Sequence, residues 1–278
     1  MPQSPEGWRG WDDYAPFYDL ENTRTLGRRD VPFWQALARQ AGGPILELGS
    51  GTGRVTLPVG RTTEMPLVGI DRSDAMLARA RRRLRRARTL QHVTLVRGDI
   101  RALPFGSRAA FRLVIAPYGI LQSLVRESDL TSALRSVVEV LAPGGLVAID
   151  VVPDLPQWSE YRRRVRLRGL RRAGRAHLTL VESVRQDRRR GVTIFDQVFV
   201  ERRGALRNRH QFSLVFRTLS VPQLRRRLER AGFRIEAVLG DYEGGPWDPR
   251  ADAWLILARK RGDEEGGDGK IGKMGKIG

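Results

Sequence analysis

The fold is decided by Ile45 to Arg54, ILELGSGTGR. Ile45, Leu46 and Leu48 form a short apolar run carrying one carboxylate, Glu47, and the run then breaks into Gly49, Gly51 and Gly53 at alternate positions. This pattern predicts a buried strand entering a glycine-lined turn. A residue without a Cβ lets a ligand lie directly on the backbone, and it lets the following helix pack tightly on its strand.

Two ligand classes use such a turn. A dinucleotide site wants Gly-x-Gly-x-x-Gly/Ala, with its amides aimed at a pyrophosphate. Here the third glycine arrives one place early, and Arg54 stands where a small residue belongs. The spacing from Glu47 to Gly53, Glu-x-Gly-x-Gly-x-Gly, instead resembles motif I of the class I S-adenosylmethionine-dependent methyltransferases. What that resemblance implies at the turn is a methionine moiety, whose ammonium is met by backbone carbonyls and nearby carboxylates.

Two further strand ends extend the resemblance. Leu67 to Ile70 reads as a second strand ending at Asp71, where α/β nucleotide sites place an acid that accepts from ribose hydroxyls. Helix capping is the alternative role, although Ser73 and Asp74 are better placed for it. His92 to Val96 reads as a third strand, followed by Arg97, Gly98, Asp99 and Ile100. Asp99 can accept from an exocyclic adenine amine while Ile100 supplies apolar contact, and the competing reading is a loop aspartate forming a turn. VRGDIRALPF resembles the adenine-binding segment of the same family, and LAPGGLVAIDVV resembles its helix end, turn and fifth strand.

The resemblance covers residues 11–260. It implies an α/β fold: a Rossmann-like seven-stranded methyltransferase sheet with the last strand antiparallel at the sheet edge. It also implies S-adenosyl-L-methionine as cofactor and no obligatory metal. The cofactor-binding set it implies is Glu47, Gly49, Gly51, Gly53, Arg54, Asp71, Arg72, Met76, Asp99, Ile100 and Ala116. Tyr14 and Tyr18, four apart on a short aromatic helix broken by Pro16, join it as second-tier candidates, because an aromatic N-terminal segment often closes over the cofactor in this family. Simple packing is the competing role for both tyrosines. A second helix, Val31 to Ala41, has Asp30 as its N-cap and ends at Gly42 and Gly43.

The substrate side is less defined. Phe111 to Ala116 forms the fourth strand and leads into Pro117 and Tyr118, which should face the transferable methyl. Methyltransferases that act on nucleic-acid bases often carry Asp/Asn-Pro-Pro-Tyr there, whereas this chain has Ala116 in place of the leading acceptor. That departure argues against base N-methylation. Tyr118 lines the substrate cleft or fills the core.

Leu130 to Leu141 reads as an amphipathic helix, stopped by Pro143, Gly144 and Gly145 before a fifth strand from Leu146 to Val152. From residue 161 to 217 apolar and polar residues alternate between turn-rich connectors, which predicts an antiparallel β meander. In several small-molecule N-methyltransferases a comparable insertion roofs the substrate pocket or pairs subunits. The expected division is a helical cap over 1–42, the cofactor domain over 43–157 and 218–260, the β insertion over 158–217, and a glycine-rich, disordered tail over 261–278.

Composition sets the outer limits. The 278 residues are 41% hydrophobic and contain no cysteine, which excludes disulfides, a thiol nucleophile and thiolate metal sites. With no membrane-length apolar run and no signal-like start, a cytoplasmic, non-membrane protein is expected. The formal charge of +19 admits a nucleic-acid partner, but the arginines are spread over many elements and a solvated surface is favoured. Among general bases the histidines are His92, His177 and His210, of which His92 lies at the wrong strand end and His210 is a candidate with Tyr118. The reading that follows is methyl transfer to a small-molecule acceptor, an amine for want of an evident base. A homodimer through the β insertion is an accompanying expectation. The alternatives are an RNA or protein methyltransferase and a non-catalytic nucleotide-binding protein.

Overall fold

A computed structural model describes residues 10–25, 29–87, 89–106, 110–152, 160–171, 176–251 and 253–262. The chain forms two compact units, one of Met1–Arg28, Gln122–Val125 and Asp154–Thr218, the other of Arg29–Leu121, Arg126–Pro153 and Leu219–Gly278. Sixteen of the tail residues, 263–278, lie outside the described residues.

The larger unit is an α/β sandwich around seven strands: β1 (Ile45–Leu48), β2 (Leu67–Asp71), β3 (Val93–Arg97), β4 (Phe111–Ala116), β5 (Leu141–Val151), β10 (Phe233–Leu239) and β11 (Trp254–Lys260). Their order is β10-β11-β5-β4-β1-β2-β3. β1 is buried at all four positions, as expected of a parallel strand covered on both faces. Ile45 sits opposite both Leu67 of β2 and Leu113 of β4, so the apolar runs align in register. Helices α2 (Val31–Gln40), α3 (Thr56–Gly60), α4 (Asp74–Arg86), α5 (Glu127–Val140) and α6 (Val221–Arg230) cover the sheet. Each turns a narrow apolar stripe inward. In α4, for example, Met76, Leu77 and Ala80 are buried beneath a basic outer face, and the Ser73 hydroxyl caps the helix by accepting the Met76 amide. At Ser220 a full capping box starts α6.

Three details of this larger unit depart from the sequence reading. The antiparallel strand β11 lies inside the sheet, paired with both β5 and β10, and β10 takes the edge. Pro143, Gly144 and Gly145 do not separate α5 from β5: the strand starts at Leu141, directly after the helix. Phe111 pairs with Leu141 and Leu113 with Leu146, so the Pro-Gly-Gly segment is absorbed as a bulge. Asp30 precedes α2 but makes no side-chain cap, because its carboxylate is used elsewhere.

The smaller unit holds helix α1 (Trp11–Thr25) and a four-stranded antiparallel meander, β6 (Tyr161–Arg171), β7 (Ala176–Asp187), β8 (Val192–Arg203) and β9 (Leu206–Arg217), in sequential order. The turn-rich connector between β8 and β9 is only two residues, Gly204 and Ala205. Helix α1 runs straight through Pro16, which the sequence reading treats as a break. Proline removes one helical hydrogen bond, but packing offsets the loss: Phe17 stacks on Phe199 at 4.5 Å, and Tyr14 meets Phe212 edge-on at 5.2 Å.

Candidate cofactor site

Parallel pairing of β4, β1, β2 and β3 brings the ends of four strands to one edge of the larger unit. Ligands of open α/β sheets bind at this carboxyl edge. After Leu48 the chain turns over Gly49, Gly51 and Gly53, all with positive φ. The Ser50 amide donates to the Ile70 carbonyl at 2.9 Å, which ties the turn to the neighbouring strand.

Asp71 locks that turn. Its Oδ2 accepts the Gly51 amide at 2.8 Å and its Oδ1 accepts the Ser73 amide at 2.8 Å. A carboxylate oxygen can accept more than one hydrogen bond, which is what a ligand hydroxyl would need here. Asp71 therefore does part of what the capping alternative asked, while Ser73 itself caps α4. Gly51 leaves a cradle: a Cβ built there would meet only the Gly49 carbonyl at 3.9 Å and the Asp71 carboxylate at 4.0 Å.

Asp99 stands at the adjoining strand end, where the Gly98 amide donates to the Asp71 carbonyl at 3.0 Å. Arg101 grips the Asp99 carboxylate through Nε at 3.0 Å and Nη2 at 2.7 Å, and Arg72 from the second strand end reaches it at 3.6 Å. Those contacts, led by the Arg101 hydrogen bonds, hold the Asp99 carboxyl below its ordinary range. Asp71 and Asp99 thus share one edge, with Arg72 running from one to the other. Ile100 is buried beside them.

Glu47 lies inside. It is 2% exposed and accepts the Thr56 hydroxyl at 2.6 Å; burial pushes its carboxyl up to about 8, against the pull of that hydrogen bond and of Arg54. Met76 and Ala116 are buried as well, one under the first turn of α4 and one at the tip of β4. Arg54 is committed to a buried partner. Its two terminal nitrogens donate to the Asp30 carboxylate at 2.7 and 2.8 Å, and Asp30 also accepts the Trp34 indole N–H at 3.1 Å.

Tyr118 follows the β4 tip with a φ of +56°. A non-glycine residue there costs about 1–2 kcal/mol, so the conformation must be held from outside. The Asp150 carboxylate, at the end of β5, accepts the Tyr118 amide at 3.1 Å and the Tyr242 hydroxyl at 2.7 Å. The Arg54 guanidinium lies 5.6 Å from the centre of the Tyr118 ring. Asp150, Tyr242 and Arg101 escaped the sequence reading, and Asp30 entered it only as a helix cap. Asp150 gave one signal, as the lone carboxylate in the apolar run Leu146 to Val152; Tyr242, in an irregular loop, gave none.

Tyr14, Tyr18 and His210 fall in the smaller unit. Tyr14 is buried among Trp11, Tyr18, Phe199 and Phe212. The His210 ring lies 4.8 Å from Phe17 and lines a cleft with Asp12, Asp13 and Glu201. In the same unit, the Gln197 amide nitrogen donates to Glu21 at 2.9 Å and to Glu182 at 2.8 Å, and Tyr161 donates to Glu182. Burial and the neighbouring Glu182 push Glu21 up to about 7. His92, at the opposite end of β3, bonds the Gly60 carbonyl at 3.0 Å, and His177 is exposed on β7.

Residues 45–145 match the family described as a methyltransferase domain. The ubiquinone/menaquinone biosynthesis C-methyltransferase of Geobacter sulfurreducens is 31% identical over 146 residues, 50% of this chain and 55% of that protein. The chain thus spans about half the length of that curated relative. Among solved structures, the CcbJ methyltransferase from Streptomyces caelestis superposes with a TM-score of 0.73 at 20% identity, covering 90% of this chain and 98% of that one. The sugar N-methyltransferase KedS8 from Streptoalloteichus sp. gives 0.70 at 16% identity, covering 88% and 92%. These likenesses extend the shared fold over the four-stranded sheet as well. Residues 45–145, which hold the glycine turn and the first four strands, thus match a methyltransferase domain, and the chain is similar there to S-adenosylmethionine-dependent methyltransferases.

Proposed function

We propose that this protein transfers the methyl group of S-adenosylmethionine to the amine of a small molecule. The observation that carries the reading is the meeting of the glycine turn with two acidic strand ends: Gly51 donates to Asp71, and Arg72 runs from that strand end to Asp99. The residues fit the cofactor. The space over Gly51 suits the methionine tail, with Glu47, buried on the strand that precedes the turn, as counter-charge to its ammonium. The Asp71 carboxylate, at the end of β2, suits ribose hydroxyls, and Asp99 with Ile100 suits the adenine edge and ring.

When bound, the cofactor supplies a methyl already activated by its sulfonium. What remains for the chain is orientation and exclusion of water, an effect that supplies several kcal/mol, up to about 10. The turn at Pro117, Tyr118 and Gly119 follows β4, the strand next to β1, and is the natural wall for the acceptor. Its one titratable side chain is the Tyr118 phenol, which is no ready proton acceptor at neutral pH. Asp150 is 3% exposed and already accepts two protons' worth of hydrogen bonds, from Tyr118 and Tyr242. An amine that reaches its neutral form needs no strong base, whereas an alcohol does. The sugar N-methyltransferase neighbour agrees with this choice of acceptor.

The 31% identical C-methyltransferase supports a second reading, an activated carbon acceptor. One assay separates them. Labelled S-adenosylmethionine is offered with panels of amino sugars and other amines, alcohols, and quinol-type carbon nucleophiles. Label should appear on amines; transfer confined to oxygen or carbon would end the amine reading. Calorimetry with S-adenosylhomocysteine against NAD tests the cofactor class independently.

A further inference from the structure

The acid missing from position 116 reappears in space. Ala116 pairs with Ile149, so the next residue of β5, Asp150, stands beside the turn that follows β4. Its carboxylate accepts the Tyr118 amide at 3.1 Å, and its backbone carbonyl accepts the next amide, that of Gly119, at 3.2 Å. Tyr118 and Gly119 have φ of +56° and +64°, so one residue holds two successive left-handed positions. The same carboxylate oxygen takes the Tyr242 hydroxyl at 2.7 Å, and the Tyr242 ring lies 6.1 Å from Phe33 of α2, which anchors the acid from behind.

We infer that Asp150 is a positioning residue of the S-adenosylmethionine site, acting through Tyr118 to fix the turn that faces the transferable methyl. The inference rests on the proposed function and gives a role to a residue that the sequence reading left without one. A buried carboxylate is an expensive way to fill space, and a hydroxyl or amide would serve packing alone. Ionised, it makes stronger, charge-assisted bonds to a strained turn. Burial raises its carboxyl to about 6, despite the Tyr242 and Tyr118 hydrogen bonds; Asp30 and Arg54 are the nearby charges, with opposite effects. The holding force therefore weakens on mild acidification.

The test uses the full chain and S-adenosylhomocysteine as probe, followed by calorimetry from pH 5 to 8. Asp150→Ala should weaken binding about tenfold, the equivalent of one strong hydrogen bond. In a Tyr118→Gly background, where the left-handed turn needs no external hold, the same substitution should matter about twofold or less. Asp150→Asn keeps an oxygen for both donors. It should bind like the wild type at low pH and lose the change through about pH 6 that the wild type shows. Equal weakening in both Tyr118 backgrounds would reduce Asp150 to a fold-supporting role and overturn the inference, as would unchanged affinity in Asp150→Ala or a surviving pH step in Asp150→Asn. A wild-type protein that binds no S-adenosylhomocysteine would instead remove the cofactor reading itself.

Discussion

The Asp71 carboxylate accepts the Gly51 amide at 2.8 Å, which joins the end of β2 to the glycine turn after β1 before any ligand arrives. Because its other oxygen takes the Ser73 amide, a single acid orders the turn and the start of α4 together. A cofactor hydroxyl meets an acceptor that is already oriented, so little ordering entropy is lost on binding.

That arrangement makes Asp71→Asn informative. One of its two oxygens becomes an NH2 group facing an amide donor, which leaves a polar group unpaired at a cost of about 1–3 kcal/mol. S-adenosylhomocysteine affinity should fall about ten- to hundredfold by calorimetry while far-ultraviolet circular dichroism stays the same. Unchanged affinity would remove Asp71 from the cofactor site.

Gly51 and Gly53 should respond oppositely to alanine. Both adopt positive φ, +53° and +77°, which costs an alanine about 1–2 kcal/mol in either place. Around Gly53 a Cβ would also meet Leu57 at 3.2 Å and Ala80 at 3.4 Å, so Gly53→Ala should lose more stability in a thermal melt. Gly51→Ala faces no such crowding. Its methyl enters the space assigned to the methionine tail, and it should abolish measurable S-adenosylhomocysteine binding in a protein that melts above Gly53→Ala. Retained binding in Gly51→Ala would place the ligand elsewhere.

The seven-stranded architecture was legible because β1 and β2 are apolar runs ending in a glycine or an acid and β4 is one ending before Pro117, and a buried parallel strand leaves that signature. Glycine spacing and the two strand-end acids pointed to the candidate cofactor site for the same reason: local sequence encodes them. What failed was tertiary. Asp30 has the right position for an N-cap, but a buried guanidinium 24 residues later competes for its carboxylate and wins with two charge-assisted bonds. Pro143 and the glycines after it are turn residues by composition, yet they bulge within β5 because Phe111 already pairs with Leu141. Tyr242 reaches Asp150 across 92 residues of chain, a distance over which no periodicity carries information.

The Asp30–Arg54 pair sets up a stability test. Asp30 is fully buried and Arg54 is its bidentate partner. Arg54→Met leaves an uncompensated buried carboxylate and should destabilise by about 3–5 kcal/mol in urea unfolding. Adding Asp30→Asn should recover much of that loss, because the stranded charge is gone and an amide oxygen remains for the Trp34 indole. Arg54→Lys should rescue poorly, since an ammonium cannot supply the planar fork that both carboxylate oxygens engage. If the double variant were no more stable than Arg54→Met alone, charge stranding would not be the cause.

Glu47 couples folding, pH and ligand in one carboxyl. Burial raises it from 4.5 to about 8, so between those values the folded protein holds a proton that the unfolded chain releases. Folding stability should therefore fall as pH rises from about 4.5 towards 8 and then level off. Glu47→Gln, which still offers an oxygen to the Thr56 hydroxyl, should flatten that slope and melt higher than the wild type at pH 8. Binding should show the opposite preference. The ammonium of the cofactor favours the carboxylate, so at pH 7 the wild type should release close to one proton on binding, read from calorimetry in buffers of different ionisation enthalpy. In Glu47→Gln that release should vanish and affinity should drop, leaving a more stable protein that binds less well. Proton release of equal size in both proteins would assign the titration to another group and separate Glu47 from the ammonium.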